Sequence, residues 1–321
     1  MLRSFLRDGR GGVEFGVSPE RMRAALADPE TLLWVDMESP DDADIELLLE
    51  VFELHPLTVE DCIMPTARPK LEDFDRYLFA VLQSMKRDET SALQPVELNA
   101  CLGQNFLLTV RTETIKSVEE DWARVERHSP IFTRGTDFLF YAIADSFLDS
   151  YLPLLEQLDA RVDVLEASLL SDSTEDTLRE LFRVYGELML LRRTLAPHRE
   201  ILTRINRLGD LPFIRPANAA YFRDIYDHLL RMSDLVDAGR EMTMALLDAQ
   251  ATIASNRENR IMKRMTAGAT LALPLIIVTG IYGMNFSEHA WLPVPLFHAL
   301  SLIMIGSLPV MLVLFRRNRW L

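Results

Sequence analysis

The sequence predicts an α+β membrane protein: an N-terminal α/β domain, a long helical stalk, and two C-terminal transmembrane helices, the first of which continues the stalk. Three observations carry this. No charged side chain occurs from Met265 to Phe286, a run long enough to cross a hydrocarbon core roughly 30 Å thick as a helix, and a second uncharged stretch runs from Leu292 to Phe315. Between Pro216 and Pro274 there is no proline, a gap that permits one helix of about 85 Å at about 1.5 Å per residue. Before Gly135, short apolar runs alternate with helix-start signals, the pattern of a sheet with helices packed against it.

The α/β domain is expected over residues 1–135. Met1 to Gly12 is charged and lacks a long apolar core, so no signal peptide is expected. Ser18-Pro19-Glu20 and Ser39-Pro40-Asp41 each place a capping residue before a proline at the first helical position, with acids following. Thr31 to Met37, Tyr77 to Met85, Val96 to Leu102 and Phe106 to Thr112 read as strands, and Gly103, Gln104 and Asn105 fit a tight hairpin connection. Ile115 to His128 reads as helix. His55 to Asp61 and Arg68 to Glu72 hold enough ionisable groups to suggest a metal or acid–base cluster. The simpler reading is structural: Thr58 caps a helix whose first turn carries Glu60 and Asp61, where acids complement exposed amides.

Residues 136–216 read as a helical hairpin. Leu155, Leu158, Val162 and Leu165 lie at three- and four-residue spacing within one helix from Phe138 to Leu169. Ser173 with Asp176 resembles an acidic capping box opening a second helix toward Leu208, with Pro197 as a candidate kink. Residues 217–286 form the stalk and first membrane helix. Ile225, Leu229, Met232 and Val236 step by four, three and four, the spacing of a helix packed on other helices. Residues 287–291 form a short external loop, and residues 292–321 the second membrane helix with a basic tail. Unpaired backbone is not tolerated in lipid, so the two spans form a helical hairpin with the bilayer as solvent.

Basic residues set the orientation. Arg257, Arg260, Lys263 and Arg264 precede the first span and Arg316, Arg317 and Arg319 follow the second, whereas Ser287 to Leu292 carries neither Lys nor Arg. Both termini are therefore expected in the cytoplasm and the protein in the cell inner (plasma) membrane. Of 321 residues 49% are hydrophobic, and the net charge of −14 argues against nucleic acid as a partner. Cys62 and Cys101, the only cysteines, are too few for a disulfide framework or a cysteine metal site and read as packing residues. No Walker-type glycine loop is present, so nucleotide hydrolysis is not expected, and no nucleophile triad has a distinctive signature, so neither is an enzyme.

Tyr282-Gly283-Met284-Asn285 stands at the outer end of the first of two C-terminal membrane helices, and with the basic C-terminus this resembles the CorA family of magnesium channels. The stretches around His55 and Arg68 are similar to the family's N-terminal domain. The resemblance implies a homopentamer with the first membrane helix lining the pore, and Mg2+ as transported and regulatory ion, with Co2+ as a further candidate.

On the residues themselves, Asn259, Met262, Met265, Ala269, Leu273, Ile276 and Gly280 recur every three or four positions along one stripe. Rings of Met and Leu can block ions by excluding water; the same stripe could equally be helix packing in lipid. The resemblance makes Asn259, Met262, Met265, Leu273 and Ile276 pore-lining, with Ile276 where a family member carries threonine. Gly283, Met284 and Asn285 are the expected selectivity filter. Mg2+ gives up water reluctantly, so amide and carbonyl oxygens there suit recognition of the hydrated ion. Glu288 in the external loop would concentrate cations. Asp224 and Asp88 are similar to a regulatory pair of aspartates, which from adjacent subunits would repel unless a divalent cation lies between them. The rival readings are a Co2+, Ni2+ or Zn2+ transporter of the same layout, and a membrane-anchored structural or signalling oligomer without ion flux.

Overall fold

The computed structural model describes residues 1–64, 68–88, 92–127, 134–171, 175–207, 213–282, 294–318 and 320. The chain divides into two compact units, Met1–Met244 and Ala245–Leu321.

The first unit is built on strands β1 (Leu2–Arg7), β2 (Val13–Phe15), β3 (Leu32–Glu38), β4 (Lys70–Phe74), β5 (Tyr77–Arg87), β6 (Leu93–Leu102) and β7 (Phe106–Arg111). They form one sheet in the order β2-β1-β3-β7-β6-β5-β4. β3 runs parallel to β7, with Leu33 opposite Phe106, and the other pairs are antiparallel. Helices α1 (Pro19–Leu26), α2 (Asp42–Glu50) and α3 (Pro56–Ile63) supply Met22, Ala25, Leu48 and Val59 to a core with Leu33, Val35, Met37, Phe79, Leu108 and Val110. The intervening residues face the other way: Trp34 packs on Trp122 of α4 (Lys116–Glu126) with ring centroids 4.8 Å apart. Covered on both faces, β3 and β7 are buried nearly end to end, which is why they read as continuous apolar runs. At the β6–β7 turn a Cβ on Gly103 would lie 2.1 Å from the Phe106 ring, so only glycine fits the connection.

Several expectations are corrected. β1, β2 and β4 were not among the expected strands; arginines interrupt the first and charged residues dominate the third. The α2 cap is Asp41, whose carboxylate accepts from Ala43 and Asp44 amides in a capping box. Ser39 instead adopts a φ of 49° and donates to the Thr112 carbonyl at 2.7 Å. His55 rather than Thr58 caps α3, accepting the Leu57 amide at 3.2 Å, while Thr58 lies inside that helix with its hydroxyl 2.9 Å from that of Tyr77. The helix expected from Phe138 to Leu169 is two, α5 (Thr136–Asp149) and α6 (Leu152–Ser171). α5 packs against β5, β6 and β7. Thr136–Leu169 is apolar and long enough to cross a membrane, but more than half of its apolar window is buried inside this unit.

α7 (Glu175–Asn206) runs through Pro197 and pairs with α6; the proposed cap at Ser173 lies outside the described residues. A 3₁₀ turn at Pro216–Asn218 leads into α8 (Ala219–Tyr282), one helix of 64 residues that passes through Pro274 and supplies both units. Its start is fastened to α5, since the buried Asp137 carboxylate accepts from the Arg215 amide at 3.0 Å and from Asn218 Nδ2 at 2.9 Å. In the second unit the rest of α8 is joined by α9 (Val294–Arg317).

Candidate ion pathway and regulatory site

Asn259, Met262, Met265, Ala269, Leu273, Ile276 and Gly280 are all exposed on α8, Met265 at 73% and Ile276 at 64%. Ala267 is fully buried, and Leu271, Pro274 and Val278 are half-buried. At about 100° per residue these two sets lie on opposite sides of the helix. The predicted stripe is bare; over 251–266 so is every other face of the helix, and from Ala267 onward the stripe lies opposite the covered residues. α9 also has a partly covered stripe, Ser301, Met304, Leu308, Met311 and Phe315, and a bare apolar face that includes Leu302 and Ile303. The polar groups within α8 close on its own backbone: the Thr270 and Thr279 hydroxyls donate to the carbonyls of Thr266 and Leu275. Gly283, Met284, Asn285 and Glu288 lie outside the described residues.

Asp88 closes the turn after β5. Its amide donates to the Ala92 carbonyl and its carboxylate accepts from the Ala92 amide, both at 2.9 Å. Asp224 is exposed on α8, with Oδ1 3.8 Å from His228 Nε2. The other ring nitrogen of His228 is 3.8 Å from Asp149 of α5. Asp145, Asp149 and His228 each offer a ligand atom, and these atoms all lie within 4.8 Å of one another. Asp224 thus flanks, across the His228 ring, a cluster absent from the sequence reading, although two pairs at i,i+4 spacing, Asp145 with Asp149 and Asp224 with His228, were its visible signal.

The electrostatics of the cluster fit a cation. Burial, then the negative charges of Asp149 and Asp224, push the Asp145 carboxyl up to about 6, with His228 opposing. Asp145 Oδ1 is buried and has no hydrogen-bond partner among the described residues. Burial and the same carboxylates push the neighbouring Tyr141 hydroxyl up to about 12. Two carboxylates and an imidazole suit a divalent transition ion as well as the harder Mg2+.

A bare apolar stripe on a long membrane-length helix and a carboxylate-rich cluster are consistent with many transporters; the whole chain narrows the choice. The family model described as CorA-like Mg2+ transporter protein matches residues 29–317. The chain belongs to the CorA family. It is 31% identical over 313 residues to the cobalt/magnesium transport protein CorA of Thermotoga maritima, covering 96% of this chain and 89% of that one. It is 24% identical over 293 residues to the cobalt/magnesium transport protein CorA of Methanocaldococcus jannaschii, covering 90% and 92%. The complete structure of the CorA magnesium transporter from Methanocaldococcus jannaschii has the same fold, with a TM-score of 0.81 over 99% of this chain and 98% of that one at 24% identity. The full-length CmaX protein superimposes with a TM-score of 0.78 over 99% and 97% at 21% identity. A CorA-type membrane transporter accounts for the mixed sheet, the long α8 and the C-terminal apolar helix together.

Proposed function

We propose that the protein is a channel for Mg2+ uptake, with Co2+ as a second permeant ion, assembled as a homopentamer in the inner (plasma) membrane with both termini cytoplasmic. The observation that carries this reading is the exposed stripe from Ala269 to Gly280, opposite the covered face of α8. Two helices cannot enclose water, so a conducting path needs several copies of that stripe around an axis. Asn259 then forms a polar ring at one end, and Met262, Met265, Leu273 and Ile276 form apolar constrictions that stop ions when they dewet. Ions reach this path through a ring of Gly283, Met284 and Asn285, whose oxygens accept hydrogen bonds from water held by Mg2+; Glu288 raises the local cation concentration.

The regulatory reading gains residues. Asp145, Asp149 and His228 would hold a divalent cation that offsets the repulsion of the carboxylates, with Asp224 beside the other ring nitrogen of His228, and Asp88 of a neighbouring subunit would complete the site. Occupancy would then hold the subunits together at high cytoplasmic Mg2+, and loss of the ion would loosen them. The imidazole supports the alternative of a Co2+, Ni2+ or Zn2+ transporter with the same architecture.

The test is Mg2+ uptake into liposomes containing the purified protein, read by an internal Mg2+ dye, beside an Asn285→Ala variant. Flux in the parent and its loss in an assembled variant support the channel. No Mg2+ flux in either, with Co2+, Ni2+ or Zn2+ entry in the parent, selects the alternative ion; no flux of any of them leaves a membrane-anchored oligomer.

A further inference from the structure

α7, the β5–β6 pair and the segment leading into β4 enclose a cleft of about 690 Å³. Pro69, Met85, Pro95, Leu190 and Pro197 give it apolar walls, and Gln83 and Thr194, both buried, lie at its base. Arg68 and Arg193 also line it and are exposed. Among the described residues neither guanidinium has a carboxylate partner, in a chain with a net charge of −14. The contrast is local. In the neighbouring cleft Arg87 and Arg161 are both engaged by Glu187, at 2.9 and 2.8 Å.

Two guanidinium groups, each a planar fork of donors, carry together the charge of a dianionic phosphate rather than that of a single carboxylate. Apolar walls beside such a charged end are the usual composition of a small-molecule site. Pro197 has no N–H, so the Arg193 carbonyl lacks its helical donor there. We propose that this cleft binds a phosphate monoester with an apolar or planar body, its phosphate held between Arg68 and Arg193. The bound ligand would brace α7 against the sheet at the place where His198 of that helix already bonds the Gln83 amide.

The test is isothermal titration calorimetry on the full chain in detergent, in divalent-free buffer, with adenosine monophosphate as probe and adenosine and inorganic phosphate in parallel. The expected result is that the monophosphate binds more tightly than either fragment. Combining Arg68→Gln with Arg193→Gln weakens it about tenfold for each guanidinium removed. Arg179→Gln, which removes an exposed arginine paired with Glu175 elsewhere on α7, leaves the affinity unchanged. An unchanged melting temperature in the double variant establishes that the loss is one of binding. Absence of monophosphate binding, equal binding by the double variant, or equal affinity for adenosine or for inorganic phosphate overturns the proposal.

Discussion

His198 Nε2 accepts the backbone N–H of Gln83 at 3.0 Å. β4 pairs with β5 only as far as Val81, so this amide would otherwise lie buried at an open strand edge. α7 supplies the acceptor, and Tyr151, between α5 and α6, donates its hydroxyl to the Gln83 carbonyl at 2.7 Å. Two side chains therefore continue the sheet where the strand stops.

This places a proton switch in the stability of the first unit. Burial lowers the His198 pKa to about 4 from 6.5, because a charged ring would be desolvated and could not accept the Gln83 N–H. The unfolded chain binds the proton first, so the stabilisation is fully present above the unfolded value and is lost as pH falls from 6.5 toward 4. Over that window the loss is about 3 kcal/mol. Thermal melts of the full chain in detergent at pH 7.5 and 5 should show it. His198→Phe should be less stable at pH 7.5 by about 1–3 kcal/mol, from the unpaired amide, with a shallower pH dependence.

The Asp145 cluster should behave in the opposite sense toward substitution. A carboxyl raised to about 6 is held ionised at neutral pH against burial and the charges of Asp149 and Asp224. It therefore costs stability as pH rises through about 6. Asp145→Asn should raise the melting temperature without divalent ions, by about 1 kcal/mol after allowance for its partial exposure. The same variant should lose most of the stabilisation that Co2+ or Mg2+ gives the parent. A variant that is both less stable and equally responsive to metal would exclude the cluster as a cation site.

On the other face of the sheet, Arg111 is 1% exposed and lies 3.1 Å from Asp36 and 3.0 Å from Glu38. Asp36 is also bound by Arg3 at 2.9 Å and accepts the Thr109 hydroxyl at 2.6 Å. Arg111→Ala leaves the buried Asp36 carboxylate with one fewer cation, so a loss of about 3–5 kcal/mol is expected, measured by denaturant unfolding. Arg111→Lys keeps the charge but not the planar fork and should recover only part of it.

What could be read in advance follows from range. The Phe106 strand, the Gly103 turn and α8 announce themselves within a few neighbouring residues, through apolar runs, a tight connection and a proline-free gap. β1 did not, because Arg3 and Arg7 obscure its pattern until Asp36 and Glu119 are brought to Arg3. Ser39 and Thr58 look like caps locally, but Thr112 and Tyr77, distant in sequence, engage their hydroxyls. The cation cluster shows in the sequence only as two separate i,i+4 pairs, for the same reason: Asp145 and Asp149 sit on α5 and His228 on α8, and only packing joins them. The α8 stripe was visible because one helix carries all of it.

That stripe gives the most direct test of the pathway. If Leu273 and Ile276 form constrictions around an axis, a hydroxyl there favours water and should raise Mg2+ flux into liposomes. Leu273→Ser and Ile276→Ser are therefore expected to conduct more than the parent, by about tenfold if wetting becomes easier by about 1.4 kcal/mol. Leu302→Ser and Ile303→Ser, on the bare apolar face of α9, change a surface that is more exposed and should leave flux close to that of the parent. The contrast matters because polar substitutions in either helix could loosen packing or leak. Equal increases from both helices would assign the effect to general loosening, whereas an increase confined to α8 would follow from a pore lined by its bare face.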